Sequence, residues 1–578
     1  MGNAYFDNLI TRARSARSPE AIAHLLKPVL LEMGDEFDAY LEQLLAATAA
    51  ESSTARTLKL IARIWRELQS TNRREMQLRA YTRALAEAAP DGWPGLLLAG
   101  MDPNGPLALT DDEWQTVAAL LEKRGEEPSR LAVGLRRGLA LYFQMEANLL
   151  DWLYTAGREP LGFVRTGPWG AWAGRLPAGQ LRALFEALDR GESAGNFRAA
   201  DKFDATAWIE LTVLLRRIER HLVRSFEQRF ANLGEQARLQ ILTSTFLTFA
   251  IFWADFAQAM VRQRALSEAS FQNALQILRA FAAQPYFPLY GGLLAVFDGP
   301  YLRVALTYLG EPLRADAMAA EKAKVLNLLG YTARLLGDYP RSLALHREAL
   351  ADPDNLTEAR VWVAHWVNQG STHLRLREFD AAVELFERAL VYARQSGDLP
   401  GQAHALANLG NARTQALQFQ EVLDAERYGD AEHYLQQGLE LSRRAKERPA
   451  EVVALAGLGS LRLLMSRGGE AVVLLEQGLT VAGGLGDLWW EGTLRAALAE
   501  ALVGVEQPEA AVGQAAAAML LLERLGVSDW RQPAGLLVVL RNRLDAGLDA
   551  ALEAADLPPA ARERVEGLLG KYTDQGSP

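Results

Sequence analysis

The chain has 578 residues, no cysteine, and 61 basic against 71 acidic side chains, for a formal net charge of −10. Without thiols, disulfides and thiolate metal sites are excluded, and the acidic balance argues against a nucleic-acid partner, because phosphate binding needs a basic field. Met1 to Glu20 is polar with no apolar signal region, and Gly2-Asn3-Ala4-Tyr5-Phe6 lacks the Ser or Thr of a myristoylation signal. A cytoplasmic location is expected.

Residues 1–90 read as a bundle of four or five amphipathic helices. Ser18-Pro19-Glu20 is a helix start, with Ser as cap and Pro in the first turn. Ile22, Leu25, Leu26, Val29 and Leu30 then share a face, and Pro28 is expected to kink the helix. Phe37, Tyr40, Leu41, Leu44 and Leu45 repeat the spacing, as do Leu58, Ile61, Ile64, Trp65 and Leu68. Asp91-Gly92-Trp93-Pro94 and Asp102 to Pro106 break the pattern. A second helical domain is expected over 91–310. Thr110-Asp111-Asp112-Glu113 reads as a capping box ahead of Trp114, Val117, Leu120 and Leu121.

Residues 157–179 are the least regular stretch, and a loop of that length is often functional. Phe163, Trp169 and Trp172 stand there beside Arg158, Arg165 and Arg175. Aromatic plus Arg is the chemistry of interaction hot spots, so Trp169, Trp172, Arg165 and Arg175 are secondary interaction candidates; the alternative is that the two Trp pin the loop to its own domain. Further on, Leu211, Leu214, Leu215, Ile218, Leu222 and Phe226 form an apolar stripe with Arg216, Arg217, Arg220 and Arg224 along its flank. Phe246, Phe249, Trp253 and Phe256 share one face of the next helix. The apolar run 241–253 falls short of the ~20 residues a membrane span needs, so it is expected in the core. An exposed docking stripe is the alternative. Pro285 to Tyr301, rich in Pro and Gly, reads as the joint between this helical domain and the C-terminal half of the chain.

From about Leu326 to Leu522 one pattern returns five times. Leu329-Gly330, Gln369-Gly370, Leu409-Gly410, Leu458-Gly459 and Leu498-Ala499 open successive copies, at steps of 40, 40, 49 and 40 residues. The long step carries an insertion of nine, expected within Thr414 to Arg427. Self-similarity at this period signals a helical repeat array. Each copy is two helices joined by a tight turn such as Leu336-Gly337-Asp338. Small residues are expected where the two helices cross: Gly330 with Ser342 and Ala349, Gly370 with Ala382 and Ala389.

These copies resemble the tetratricopeptide repeat in its longer form of about 40 residues, over roughly 200 of the 578 residues. The resemblance implies an α-solenoid over 311–528; with the helical spacing of the N-terminal half and of the capping helices that precede a polar tail over 529–578, the whole chain is expected to be all-α. The resemblance also implies a concave groove lined by the first helix of each pair. In related repeats an Asn two residues before the small position bonds the backbone of an extended peptide, and Asn368 and Asn408 stand at that place. By the same resemblance Lys324, Tyr331, Ser371, Arg375, His404 and Arg413 fall on or near this wall, and Asn327 and Asn411 are nearby candidates one or more positions off the asparagine place. Relatives that clamp a C-terminal carboxylate use Lys or Arg where this chain has His404 and Asn408, which argues against that ligand. Val453, Ala456 and Gly457 make the fourth repeat's face apolar.

No phosphate-binding loop, HExxH, serine elbow or metal-ligand cluster is found in the sequence. The expected catalytic, metal and cofactor sets are therefore empty, and the chain reads as a non-enzyme. The expected function is a protein-binding scaffold or adaptor, an assembly or regulatory factor holding another protein's segment or helix in the groove. One alternative is a membrane-peripheral assembly factor docking through the 241–256 stripe and the Arg face near 220. Another is a ligand-sensing module, the role similar repeats take in bacterial regulators.

Overall fold

The computed structural model describes residues 2–574 apart from 17, 49–51, 103–104, 151–167, 198–202, 229–234, 291–318, 352–357, 421–424, 486, 545–546 and 556. Every element among the described residues is an α-helix or a short 3₁₀ turn. The chain groups into two compact units, residues 1–97 with 109–136, and residues 98–108 with 137–578. The second domain expected over 91–310 is thus shared between them, and most of it joins the repeats.

The first unit begins with four helices, α1 (Gly2–Arg14), α2 (Pro19–Glu32), α3 (Gly34–Ala47) and α4 (Ser53–Ala86). Ser18 accepts from the Ala21 amide and caps α2, and Pro28 lies inside that helix. The expected apolar faces converge: Phe6, Phe37 and Trp65 are buried, with Phe37 edge-on to Trp65 at 4.6 Å. After α5 (Trp93–Met101), α6 (Asp111–Leu121) starts on the capping box of Thr110 and Glu113. Glu113 also pairs with Arg74 at 2.6 Å, and that guanidinium holds its carboxyl down near 2.

The second unit contains α7 (Glu126–Glu146) from Arg137 onward, then α8 (Pro168–Ala173), α9 (Gln180–Asp189), α10 (Ala205–Gln228), α11 (Glu235–Ala259) and α12 (Arg264–Ala282). Residues 168–173 are helical where an irregular loop was expected; Arg158, Phe163 and Arg165 lie outside the described residues. Trp172 is buried and donates to the Leu149 carbonyl, and Trp169 packs edge-on against Phe185 at 5.3 Å. Both Trp pin this segment inward, which corrects their reading as an exposed hot spot; among the described residues of that set Arg175 is the exposed one.

The α11 stripe is likewise internal. Phe246, Phe249, Trp253 and Phe256 are all buried, and the helix, the one among the described residues long and apolar enough to cross a membrane, is 83% buried over that span. Three of the four arginines on the α10 flank are engaged within the protein, and Arg224 is exposed. Arg216 forms a buried pair with Glu219 at 2.9 Å, Arg220 donates to the Met101 carbonyl, and Arg217 stacks on Tyr142. The α11 stripe and most of the α10 arginines therefore face the protein, because burying ring and guanidinium together satisfies both the apolar area and the charge.

Five tetratricopeptide-like helix pairs complete the array: α13 (Ala319–Leu335) with α14 (Tyr339–Ala351), α15 (Ala359–Arg375) with α16 (Phe379–Ser396), α17 (Leu399–Phe419) with α18 (Ala425–Ala445), α19 (Arg448–Leu464) with α20 (Gly468–Leu485), and α21 (Leu488–Gly504) with α22 (Pro508–Arg524). The glycine dipeptides do not open the helices as expected. They sit in the C-terminal half of each first helix, against the partner helix. A Cβ on Gly330 would lie 2.6 Å from His346, on Gly370 2.7 Å from Phe386, and on Gly459 2.7 Å from Leu475. Each glycine thus admits a large knob, while the small residues Ser342, Ala349, Ala382 and Ala389 are fully buried around it.

The turn inside a repeat closes the same way each time it is described. Asp338 N–H donates to Ala333 O at 2.9 Å, Glu378 to His373 at 3.0 Å, Arg467 to Arg462 at 2.8 Å, and Gln507 to Leu502 at 2.9 Å. This is the Schellman closure, which needs a left-handed residue just before the donor. Gly337 fills it in the first repeat, but Arg377, Ser466 and Glu506 take it elsewhere at φ of 57–62°. The insertion of nine is partly absorbed by helix: α17 and α18 run 21 residues each against 17 and 18 for α15 and α16. A 3₁₀ turn (Ser528–Trp530) and α23 (Arg531–Leu544), α24 (Gly547–Ala554) and α25 (Pro559–Asp574) end the array.

Candidate partner-binding groove

First helices of successive repeats pack side by side, and second helices do so far less. The row α13, α15, α17, α19, α21 is therefore the inner wall, as a stack of tilted pairs requires. Polar residues on that wall are mostly buried. Lys324, Asn327, Tyr331, Asn368, Ser371, His404 and Asn408 are all below one-tenth exposed. A wall open to solvent would leave them wet; here the chain itself covers them.

Over Asn327, Asn368 and His404 that cover comes from the irregular segment after α12, at Leu289 and Tyr290. Asn327 Nδ2 donates to the Leu289 carbonyl at 2.6 Å, and Asn368 Nδ2 donates to the same oxygen at 3.3 Å. Asn368 also donates to Asn327 Oδ1 at 3.0 Å, which orients the pair. The Tyr290 ring lies flat on His404, centroids 4.0 Å apart and 14° between planes, with its hydroxyl 3.4 Å from Asp398 Oδ2. Burial, then the nearby carboxylates of Asp398 and Glu447, push that phenol well above its ordinary range. His404 Nε2 meets Glu447 Oε1 at 3.1 Å, so that nitrogen carries the proton. Lys324 reaches the Ala282 carbonyl at 3.3 Å and pairs with Glu358 at 2.7 Å. Burial raises the Glu358 carboxyl, but Lys324 and Arg360 together hold it below the usual value.

The asparagine pair that acts together is Asn327 with Asn368, not Asn368 with Asn408. Asn408 turns back on its own helix, donating to His404 O at 2.8 Å and lying 3.5 Å from Ser371 Oγ. It bridges neighbouring helices. Asn411 is half-buried and accepts from Gln415 at 3.3 Å; Arg413 stacks over Tyr434 at 4.6 Å and meets Glu387 at 3.4 Å. Arg375 pairs with Asp529, beyond the fifth repeat, and the Trp489 indole donates to the same carboxylate at 3.2 Å. Tyr331 is buried under the Arg334 guanidinium, 4.7 Å from its ring. Leu289, Tyr290, Asp398, Glu447 and Asp529 were not expected as site residues. Only the 41-residue step from Asn327 to Asn368 was a readable signal for the pairing.

Among the described residues no group of three or more His, Asp or Glu has the arrangement of a metal site. His346 and His365 meet at Nδ1 to Nδ1, 2.9 Å, between the first and second repeats. His365 Nε2 donates to Ala323 O at 2.9 Å, so its Nδ1 must accept and His346 Nδ1 must donate. Both rings are thereby neutral. Burial drives both below the ordinary histidine value, His365 to about 4.

No family model matches the chain. Over 237 residues it is 25% identical to the regulatory protein AfsR of Streptomyces griseus, an alignment covering 37% of this chain and 24% of that protein. The chain thus spans about a quarter of the length of this relative. Among solved structures, a signal transduction ATPase with numerous domains and a tetratricopeptide repeat sensor, from Pyrococcus horikoshii, aligns over 80% of this chain and 75% of its own. The identity is 13% and the TM-score 0.31. The Cut9-Hcn1 hetero-tetramer of the APC/C aligns over 93% of this chain and 96% of its own, at 13% identity and a TM-score of 0.32.

Proposed function

We propose that this protein is a cytoplasmic adaptor whose inner wall over residues 324–413 holds an extended segment of a partner protein. One observation carries the reading: Asn327 and Asn368 jointly bind a main-chain carbonyl, the sequence-tolerant contact a backbone-capturing groove requires. The test is site-specific photo-crosslinking in cells of the source organism, with the probe at Asn411 on the inner wall or at Val391, 54% exposed on a second helix. A discrete adduct at 411, absent at 391 and lost with Asn327→Ala and Asn368→Ala, is expected. Adducts of equal strength at both positions, or none at 411, overturn it.

A second reading is that the chain is the sensing part of a regulator. The stretch shared with a regulatory protein favours it. A partner that appears at position 411 only after addition of a small effector would favour this reading over a constitutive adaptor.

A further inference from the structure

We propose that the inner wall of repeats 1–3 recognises a segment presenting a backbone carbonyl followed by a tyrosine, and that residues 285–290 are a resident copy of that ligand, displaced when the partner docks. The inference rests on the groove-binding reading above and names the partner's chemistry.

The contacts separate into two kinds. Asn327 and Asn368 engage the Leu289 main chain, so they impose a backbone direction and no sequence. The following side chain is where sequence is read. His404 offers a flat face to a ring, and Asp398 offers an acceptor to a hydroxyl at the ring's far end. A phenol satisfies both; a phenyl ring satisfies only the stack. Asp398 and Glu447 make the end of the site anionic, and Asp398 is already engaged as helix cap to Gly401 N. A phosphorylated tyrosine or an acidic residue would meet the like charge of Asp398 and Glu447 there, and the cation nearby, Arg360, is already paired with Glu358.

The resident segment is attached in a way that permits exchange. Its first part is tied down: the Gln284 amide bonds Phe281 O, the Phe287 amide bonds Gln284 O, and the Phe287 ring packs 4.8 Å from Phe281. Beyond Phe287, no main-chain hydrogen bond joins residues 288–290 to another main-chain group among the described residues. They are held by side chains of the wall. Their release breaks no helix, and the same donors and the same ring face then receive another chain.

The test uses the full chain and a fluorescent peptide of sequence Gln-Pro-Tyr-Phe-Pro-Leu-Tyr-amide, matching residues 284–290. Binding is followed by anisotropy, and release of the segment by hydroxyl-radical footprinting of the Leu289 side chain, which is buried in place. Tyr290→Ala removes the resident ring and should raise peptide affinity about tenfold over the unaltered chain. Adding Asn368→Ala should remove the gain. A peptide ending in Phe should bind several-fold more weakly, and one ending in phosphotyrosine should not bind. Tyr290→Phe keeps the stack and should give a smaller gain, so it serves if Tyr290→Ala fails to fold. Equal affinity for altered and unaltered chains overturns the resident-ligand inference and leaves groove binding standing. Continued protection of Leu289 in both Tyr290 variants makes the segment a fixed wall and also overturns it. Free labelling of Leu289 with no peptide binding overturns the groove reading itself, and this inference with it.

Discussion

Repeats 1–3 and repeats 4–5 use one backbone plan for different ends. In the early repeats the inner helices carry Asn327, Asn368, His404 and Asn408, all buried and all hydrogen-bonded. At the place of Asn368 and Asn408 the later repeats have Gly457 and Ala497. Gly457 lets Leu435 approach so closely that a Cβ would lie 2.5 Å from its Cδ2. Close approach of apolar surface needs no partner. A buried amide does, since leaving it unbonded costs roughly 1–3 kcal/mol. Asn327 and Asn368 therefore need a carbonyl such as that of Leu289 against them, and the later repeats have no such need. Recognition chemistry and a need for a covering segment come together, for the same physical reason.

Acid should separate the two regions most. His346 and His365 are held neutral, with folded values below their unfolded value near 6.5. The unfolded chain then binds more protons below pH 6.5, so their contribution is present above 6.5 and is lost as pH falls through about 4, the His365 share alone being on the order of 3 kcal/mol. Asp487 in the fifth repeat behaves oppositely. Burial raises it to about 6 against the pull of the Trp489 and Trp490 amides, so its contribution is present at low pH and is lost as pH rises through 4 to 6. Hydrogen exchange across pH 7 to 4 should show α13–α15 losing protection well before α21. Uniform loss would break the comparison.

Next in size is Gly410→Ala. Its Cβ would sit 2.6 Å from Leu435 Cγ, 2.9 Å from Leu435 N and 3.0 Å from Ala431 O, and backbone atoms cannot step aside. A loss of about 2–3 kcal/mol in urea unfolding is expected. Gly459→Ala meets only the Leu475 side chain and should cost less. Asn327→Ala with Asn368→Ala strips the Leu289 carbonyl of its two side-chain donors and should cost about 2 kcal/mol. The double variant Asn368→Ala and Asn408→Ala, which an open groove would tolerate with stability unchanged, should likewise destabilise, because both residues are buried. Arg375→Ala opens the pair with Asp529, whose arginine is 38% exposed, and should cost no more than about 1 kcal/mol, less in high salt. Smallest, Arg377→Gly relieves a left-handed residue and should stabilise by about 0.5 kcal/mol.

Local and near-neighbour features were readable ahead of the structure. The Ser18 cap and the Thr110–Glu113 box involve residues three apart, and both are present as the pattern implied. Glycines at the crossings were readable as small positions, but their opposing knobs were not, because His346, Phe386 and Leu475 are ordinary helix residues in sequence. The site was half legible. Asn368 was found by its offset from Gly370, yet its partner is Asn327, one residue out of phase with that offset. One residue is about 100° around a helix, and the curvature of the stack and the path of the covering segment decide which phase faces inward.

By itself the sequence determines an array of five helix pairs, its turns and its crossing points, because a repeat contacts only its neighbours and writes those contacts into a fixed period. It also determines that the inner wall is polar early and apolar late. Tertiary structure alone decides what that wall touches. Leu289 meets Asn327 across 38 residues, Tyr290 meets Asp398 across 108, and Arg375 meets Asp529 across 154. Such meetings depend on how successive pairs rotate and on where an irregular segment comes to lie, and neither leaves a periodic mark in the chain.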